Sequence, residues 1–492
     1  MRDFIKKRKD NLMNIKDSRN VHKAEWIFVI AVGFFLSAFY LYGDIAHTTG
    51  CGIKVWNCLF EGKLSMFYSV SYTGLPGTFL EETGGGDYDF AMYVIFALYN
   101  FPLWIWEKIS GYSFLEFYVT RLYVKGIVWI FSAISAYLIY KIALECELKE
   151  EEAKWASFLF FSSAIFFIAV VVISGYDIIS VAFTLLGIYG YLKRDNKSFV
   201  LSFAMAVALK MFALWIFIPL VLLREKKVWK IFLHGLAVIS VLAIPKMYFA
   251  SGEKTVGIIA QADWIVNGAL FPSSESGTAE FTYISMEHLP LMFVGMIAIW
   301  LMCYFYKKEL KNREVIYLCA VVMSIFVLTV KVHPHWGILL LPYIILIIMF
   351  HPHRMKENLI LEGVFSVGFV LNKAIGYYWT CNLNLIGNML APKHKFSFAD
   401  DNLSANDYGL SHYISILSEK VGIWESNIMK GFGAVVVVGL IYFLVLNYPG
   451  VEERGEAVPH DYAERRKWLI ARFAISCLVG VLPMLGVIQY LF

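Results

Sequence analysis

Apolar runs long enough to span a membrane recur along the whole chain. Thirteen such runs are visible, at residues 26–42, 90–106, 121–140, 155–174, 177–192, 198–223, 229–249, 287–306, 313–331, 336–350, 358–379, 428–447 and 468–491. A transmembrane helix needs about 20 mostly apolar residues. Charged residues make up only 17% of the 492 residues, against about 25% in a soluble domain. The sequence therefore predicts an all-α polytopic membrane protein with about 12–14 membrane helices, and it leaves no stretch for a large soluble catalytic domain.

Clusters of lysine and arginine between the runs predict which connections face the cytoplasm. The first 24 residues carry eight of them before the run at 26–42, which is typical of an uncleaved signal anchor with a cytoplasmic N-terminus. Further clusters lie at 193–197, 224–230, 307–313, 354–356 and 465–467. The positive charge is thus explained by topology, and the net charge of +4 gives no reason to expect a nucleic-acid partner.

This orientation predicts three segments and an external active face. Residues 1–24 form a cytoplasmic segment, 25–250 a first transmembrane module with the external loop 44–89, and 251–492 a second, variable module with the external loop 380–427. The host membrane would be the plasma membrane of a prokaryote or the endoplasmic reticulum of a eukaryote. No internal repeat stands out.

Two of the runs do not fit a simple crossing. Run 90–106 contains Asn100 and Pro102 and is rich in aromatic residues, a composition suited to the membrane interface. Run 198–223 is flanked by basic residues at both ends, which predicts two half-helices meeting near Lys210. The alternative is a breach of the positive-inside rule at one loop. In the first external loop, 53–60 and 65–72 are predicted to be juxtamembrane helices.

Several charged residues stand at or inside the membrane boundary. Asp44 follows the first span directly, where an ionised carboxylate is costly unless it has a partner or a function. Lys210 interrupts an apolar run, which favours a functional role; the alternative is a lysine that snorkels or pairs with a buried aspartate. Asp177 opens a span, and Arg121 and Lys373 are similar candidates, although cations flanking helix ends are common.

Histidines, loop carboxylates and cysteines leave more than one interpretation open. His333 and His335 could bind a polar or phosphorylated substrate, ligate a metal or form an ordinary capping turn. The acidic residues of loop 44–89 and the charged residues of loop 380–427 could serve a site or simply be solvated. The loop carboxylates are Glu61, Glu81, Glu82, Asp87 and Asp89. Cys51, Cys58 and Cys381 could form a disulfide on an oxidising side.

The layout of these features resembles the C-type (GT-C) fold of integral membrane glycosyltransferases that use polyprenyl-phosphate sugars, with a mannosyltransferase-like pattern. The resemblance lies in Tyr42-Gly43-Asp44, Glu61-Gly62-Lys63, Tyr99-Asn100-Phe101-Pro102-Leu103, Arg121, Gly175-Tyr176-Asp177, the buried Lys210 and Val332-His333-Pro334-His335-Trp336. It covers about residues 25–250 and part of the chain to about 350. Ile45 stands where a second acidic residue is usual, which leaves the subfamily open.

The resemblance implies an activity and a set of site residues. The reaction would be transfer of a sugar from a polyprenyl-phosphate donor to a hydroxyl of a lipid-linked or cell-envelope glycan acceptor. Asp44 would be the general base, and the donor phosphate would be bound by Lys210 with Arg121, His333 and His335. Asp177, Tyr176, Glu61 and Trp336 would bind substrate. No metal ligand is predicted, and the resemblance leaves a divalent cation open.

Two other classes of function use the same features. A transporter or flippase would also carry intramembrane charges and broken helices, and it would usually show related half-sequences. A ligase or polymerase of envelope polysaccharide would also use lipid-linked donors, and it would usually carry a large external loop late in the chain. Loop 380–427 comes nearest to such a loop.

Overall fold

The structure is a computed structural model, and it describes residues 21–73, 82–83, 86, 88–249, 289–330, 332–376, 416, 418–450 and 462–481. The helices are α1 (Lys23–Ser37), α2 (Gly43–Phe60), α3 (Phe90–Tyr99), α4 (Phe101–Ser110), α5 (Tyr118–Glu145), α6 (Glu150–Phe161), α7 (Ala164–Phe166), α8 (Asp177–Leu192), α9 (Asn196–Leu209), α10 (Leu214–Arg224), α11 (Val228–Tyr248), α12 (Leu289–Phe305), α13 (Asn312–Thr329), α14 (Leu341–Phe350), α15 (Met355–Gly376), α16 (Glu425–Leu446) and α17 (Tyr462–Val481). A π-helical segment, Phe167–Val172, continues α7. Two short strands, β1 (Tyr72–Thr73) and β2 (Glu82–Thr83), pair antiparallel. The first 20 residues, the loop 250–286 and residues 380–415 of the second predicted external loop lie outside the described residues.

The described residues form the helical membrane architecture that the sequence predicts. Four described helices are long and apolar enough to cross a membrane, and the number rises to seven if each of three bent pairs counts as one span. The described residues also contain shorter apolar helices of 10–17 residues, at Asp177–Leu192, Asn196–Leu209, Met211–Arg224 and Leu291–Phe305. The polytopic all-α fold class is confirmed.

The predicted basic connections gather at one end of the bundle, which we call the basic end. Lys193 forms an ion pair with Glu145 (Nζ to Oε1, 3.6 Å), the last residue of α5. Arg313 donates from Nε to the carbonyl of Cys146, which follows the last residue of α5 (3.0 Å). Lys226 donates from Nζ to the carbonyl of Cys303 near the end of α12 (2.7 Å). Clusters that are far apart in sequence therefore lie on one level, as the positive-inside rule requires.

Helices α9 and α10 form a hairpin with Lys210 at its tip. Lys210 has an extended backbone (φ −153°, ψ 121°) that ends α9. The rings of Phe199 and Phe217 lie 5.3 Å apart, and the guanidinium of Arg224 lies 5.3 Å from the ring of Phe199. The end of α10 thus returns to the start of α9, so both basic flanks lie at the basic end. The two predicted half-helices are confirmed, and α9, at 1.5 Å per residue, places Lys210 about 20 Å from that end.

The bent pair α3–α4 does not cross the bundle. It turns by 65° at Asn100. At one end the ring of Phe90 lies 4.7 Å from Phe249, just beyond α11. At the other end Glu107 Oε1 accepts a hydrogen bond from the amide of Phe114, just before α5 (3.0 Å). Both contacts are at the end of the bundle opposite the basic end, which we call the site end. The interpretation of 90–106 as a non-crossing, interfacial segment agrees with these contacts.

The first external loop differs from its prediction. The predicted surface helix at 53–60 is part of the longer α2, but 65–72 is not helical: it holds a 3₁₀ turn at Leu64–Met66 and leads into β1. Gly62 adopts a left-handed backbone (φ 69°), which ends α2. The following stretch is rich in serine and aromatic residues, which favour helices less than alanine or leucine do. Cys58 carries a free, buried thiol, so a disulfide through it is wrong, and Cys381 lies outside the described residues.

Candidate functional site

Asp44 lies in the first turn of α2 and is held by two tyrosine hydroxyls. Tyr176 donates to Oδ1 (3.0 Å), and Tyr88 donates to Oδ2 (3.1 Å). A carboxylate in the first turn of a helix is also favoured by the helix dipole. These contacts orient the Asp44 carboxylate. Because the side chain is only partly buried, it is still within reach of a ligand.

Asp177 is the first residue of α8 and forms the centre of a buried charged cluster. Its Oδ1 lies 3.0 Å from Lys210 Nζ, and its Oδ2 lies 3.1 Å from His335 Nε2. The side chains of the three residues are 2%, 11% and 8% exposed. Charges at this depth are stable only when paired. The observed state of Lys210 is therefore the alternative in which it pairs with a buried aspartate.

Two tyrosines join Asp44 to this cluster. The ammonium of Lys210 lies 4.6 Å from the ring centre of Tyr88 and 5.8 Å from that of Tyr176, within cation–π range. The hydroxyls of the same two rings donate to Asp44. Burial raises the pKa of Tyr88, and the carboxylate of Asp44 acts in the same direction. Tyr88 therefore stays protonated, and one tyrosine side chain separates the carboxylate from the ammonium.

The approach of His335 to Asp177 requires a glycine. A Cβ atom at Gly175 would lie 2.7 Å from the Cβ of His335 and 3.0 Å from the carbonyl oxygen of Ala169. The first distance is shorter than real Cβ contacts, and the second is a tight contact with a backbone atom. The Gly-Tyr-Asp sequence thus combines a close approach, a hydroxyl for Asp44 and the carboxylate of the cluster.

His333 and Trp336 border the cluster. The ring of His333 stacks on that of His335 at 5.5 Å. Burial lowers the pKa of His333 to about 4, and the positive charges of nearby groups, Lys373 among them, act in the same direction. His333 is therefore neutral at pH 7. The ring of Trp336 lies 4.5 Å from that of Phe212 and 5.9 Å from Lys210 Nζ, so it forms an apolar wall beside the cation.

Two predicted site residues have their observed contacts elsewhere. Arg121 lies in the first turn of α5, and its Nε donates to the carbonyl of Leu115. Glu61 is half exposed and pairs with Lys63 (3.0 Å) at the C-terminal end of α2. At 1.5 Å per residue, that end lies about 25 Å from Asp44. Glu61 is therefore not grouped with Asp44, because one continuous helix separates them.

A second ion pair next to the site is not among the sequence predictions. Asp89 Oδ1 lies 3.0 Å from Lys246 Nζ, and the two side chains are 20% and 11% exposed. Burial raises the pKa of Asp89, whereas Lys246 and Lys210 lower it. The alternative of a solvated loop is thus wrong for Asp89. Lys246 interrupts the end of an apolar run, the same signal that singled out Lys210.

The described residues also bear on which side chains could serve a metal ion as ligands. Within the described ranges, no group of three or more histidine, cysteine, aspartate or glutamate residues could hold a metal ion. His335 Nδ1 is buried and has no hydrogen-bond partner within the same ranges.

Comparisons with known proteins give little further information. No family model matches the chain, and no curated protein sequence matches it. Among solved structures the chain is similar to ArnT from Cupriavidus metallidurans, in a crystal structure of the apo state, with 10% sequence identity and a TM-score of 0.41 over 94% of this chain and 77% of that chain. A likeness at this level carries no argument about function. The fold and the site define a polytopic helical membrane protein with a charged, aromatic-lined site at one end.

Proposed function

We propose that this protein is a membrane glycosyltransferase that transfers a sugar from a polyprenyl-phosphate donor to a hydroxyl of a lipid-linked or cell-envelope glycan. One observation carries the proposal: a partly accessible carboxylate, Asp44, and a buried cation, Lys210, contact the same tyrosine, Tyr88. Sugar transfer from a lipid phosphate needs a base for the acceptor hydroxyl and a positive charge for the departing phosphate.

The proposed step is a single displacement at the anomeric carbon. Asp44 takes the proton of the acceptor hydroxyl as that oxygen forms the new glycosidic bond. The bond between the anomeric carbon and the phosphate oxygen breaks, and both of its electrons stay with the polyprenyl phosphate. Lys210 stabilises the charge of that phosphate. The products are the glycosylated acceptor, the lipid phosphate and a protonated Asp44, which returns its proton to solvent.

Asp177 and His335 prepare Lys210 for this role. In the absence of donor, the carboxylate of Asp177 compensates the ammonium, which would otherwise be buried without a counter-ion. A donor phosphate would share the ammonium with Asp177, and His335, whose buried Nδ1 has no partner among the described residues, would supply a further donor or acceptor. Trp336 would contact the sugar, since aromatic faces pack against its apolar side, whereas the buried Tyr176 would hold Asp44 in place.

The positions of the charged clusters support an active site facing away from the cytoplasm. The basic clusters lie at one end of the bundle, whereas Asp44 and Lys210 lie at the other. By the positive-inside rule the basic end is cytoplasmic. A lipid-linked donor would reach the site from the opposite leaflet of the plasma membrane or the endoplasmic reticulum.

The test is a transfer assay with purified protein in liposomes. Radiolabelled polyprenyl-phosphate sugars, mannosyl phosphates first, are offered with membrane-lipid acceptors, with and without EDTA. Transfer by wild type should fall by about 100-fold or more in Asp44→Asn, since general base catalysis contributes roughly 10²–10⁴-fold. A loss on EDTA addition would assign a divalent cation to the reaction.

The matched control is Asp195→Asn, which makes the same change at the basic end. Asp195 caps α9 through the amides of Lys197 and Ser198, and asparagine caps helices equally well. This variant should transfer at the wild-type rate. If wild type transfers nothing and instead moves labelled lipid or solute across the bilayer, the chain is a transporter and the proposal is wrong.

A further inference from the structure

The chain that leads to Asp177 is bent inside the bundle. Helix α6 ends at Phe161, and α7 with its π-helical continuation departs at an angle of 47°. The carbonyls of Leu159 and Ser162 lie at the end of α6, where helical carbonyls lose their intrahelical donors. In a hydrocarbon environment such groups need donors from elsewhere in the protein.

Helix α17, more than 300 residues later, supplies these donors. Arg472 donates from Nη1 to the carbonyl of Leu159 (2.9 Å) and to the hydroxyl of Ser162 (2.6 Å). Ser476 donates from Oγ to the carbonyl of Ser162 (2.8 Å). The bend and the last described helix are thus hydrogen-bonded to each other.

The charge of Arg472 is compensated by a buried glutamate. Arg472 Nε lies 2.6 Å from Glu362 Oε2, and the two side chains are 4% and 1% exposed. Glu362 Oε1 accepts from the hydroxyls of Ser163 (2.7 Å) and Ser366 (3.1 Å). A buried charge is stable only when it is paired, so Glu362 holds Arg472 in this position.

The same helix also contacts the chain that leads to Asp44. The hydroxyl of Tyr40, four residues before Asp44, donates to the carbonyl of Gly480 (2.7 Å). A Cβ atom at Gly480 would lie 3.0 Å from the side chain of Leu36, in α1, and 3.2 Å from that of Phe167, in the π-helical segment. Gly480 therefore packs between the two segments that precede the helices carrying Asp44 and Asp177.

We propose that α17 acts as a strut that sets the relative position of Asp44 and Asp177, with Arg472, Ser476 and Gly480 as positioning residues. Arg472 and Ser476, in the middle of α17, hydrogen-bond to the bend that precedes Asp177. Gly480, near the end of α17, packs against α1, which precedes Asp44. Catalytic groups must be placed to within about 0.5 Å, and such placement depends on supporting contacts. The catalytic meaning of the strut depends on the proposed function, but its structural effect does not.

The experiment measures hydrogen–deuterium exchange by mass spectrometry on the full-length protein in lipid nanodiscs. Gly480→Val places a branched side chain between α1 and the π-helical segment. Overpacking of this kind costs enough to raise local opening by about ten-fold or more. We expect faster exchange in peptides covering both 36–48 and 162–177.

The matched control is Gly431→Val on the neighbouring helix α16, where an added Cβ meets nothing within 4 Å. It should leave exchange in both peptides unchanged. Ser476→Ala is the milder second variant, because it only leaves the carbonyl of Ser162 without its donor. It should raise exchange in 162–177 alone. If Gly480→Val does not fold, this variant tests whether α17 holds the bend.

Transfer by the same variants separates the two proposals. For a strut, kcat should fall in Gly480→Val with KM for the donor nearly constant, since the charged groups remain but are misplaced. Unchanged exchange in both peptides for the folded variants would overturn the strut, whatever the activity. If wild type shows no transfer while the exchange pattern appears as expected, the strut stands and the proposed function fails.

Discussion

Removal of the Lys210 ammonium is the most informative perturbation of the charged cluster. Lys210→Met preserves the length of the side chain and leaves Asp177, at 2% exposure, without its closest cation. Breaking a buried ion pair from one side typically costs 3–5 kcal/mol. His335 still lies 3.1 Å from the other oxygen of Asp177, which partly compensates the carboxylate. We therefore expect a loss near the lower limit, about 3 kcal/mol.

The assay is a double-mutant cycle on the free energy of unfolding, followed by tryptophan fluorescence in mixed micelles. Asp177→Asn alone should also destabilise, because it leaves the ammonium with no carboxylate. The double variant removes both charges, so its loss should be smaller than the sum of the two single losses by at least about 1 kcal/mol.

The control is Lys154→Met, which breaks an exposed pair with Glu150 (2.6 Å). It should leave stability unchanged, since exposed pairs contribute little. The reasoning is refuted if Lys210→Met is no more destabilising than this control, or if the double variant loses the full sum of the single variants.

Three further predictions concern the site and the topology. Gly175→Ala should lower transfer by about ten-fold or more, because a Cβ there clashes with His335, whereas Gly235→Ala, which meets open space, should not. The free energy of unfolding should fall as the pH drops from about 6.5 to 4, by up to about 3 kcal/mol. The reason is that His333 of the unfolded chain binds a proton, whereas the buried ring, with its pKa lowered to about 4, does not. His333→Gln should flatten this dependence in thermal scans. An impermeant maleimide should label Lys227→Cys only from the side opposite to Tyr112→Cys, because the first position lies at the basic end and the second follows α4 at the site end.

The controls for these three predictions lie in the same measurements. Equal transfer by the two glycine variants would show that the close approach at Gly175 is unimportant. A pH profile unchanged by His333→Gln would assign the loss to another group. Labelling of both cysteines from one side would contradict the separation of the basic end from the site end.

The break in one membrane segment and the non-crossing of another could be predicted from local sequence patterns. The break at Lys210 followed from basic residues at both ends of one apolar run, and the non-crossing segment 90–106 followed from Asn100, Pro102 and the aromatic residues around them. These patterns are readable because the bilayer imposes a fixed length and a charge rule on each short stretch of chain.

Site partners could not be read in the same way. Tyr88 and Asp89 stand in a loop whose composition suggested solvent, yet the fold places Tyr88 on Asp44 and Asp89 on Lys246. Glu61 is a carboxylate of the same loop as Asp89, but it lies at the far end of α2. Residue type and position along the chain do not report which side of a loop faces the protein.

The sequence by itself determined that this chain is a helical membrane protein, where its basic end lies, and that Asp44, Asp177 and Lys210 were charges in need of a partner. Only the tertiary structure decided the partners: His335 for Asp177, and Arg472 of the last described helix for the bend at Ser162. The physical reason is the range of the forces involved. Hydropathy acts on each segment separately, whereas hydrogen bonds and buried ion pairs depend on distances of about 3 Å that exist only after distant helices have packed together.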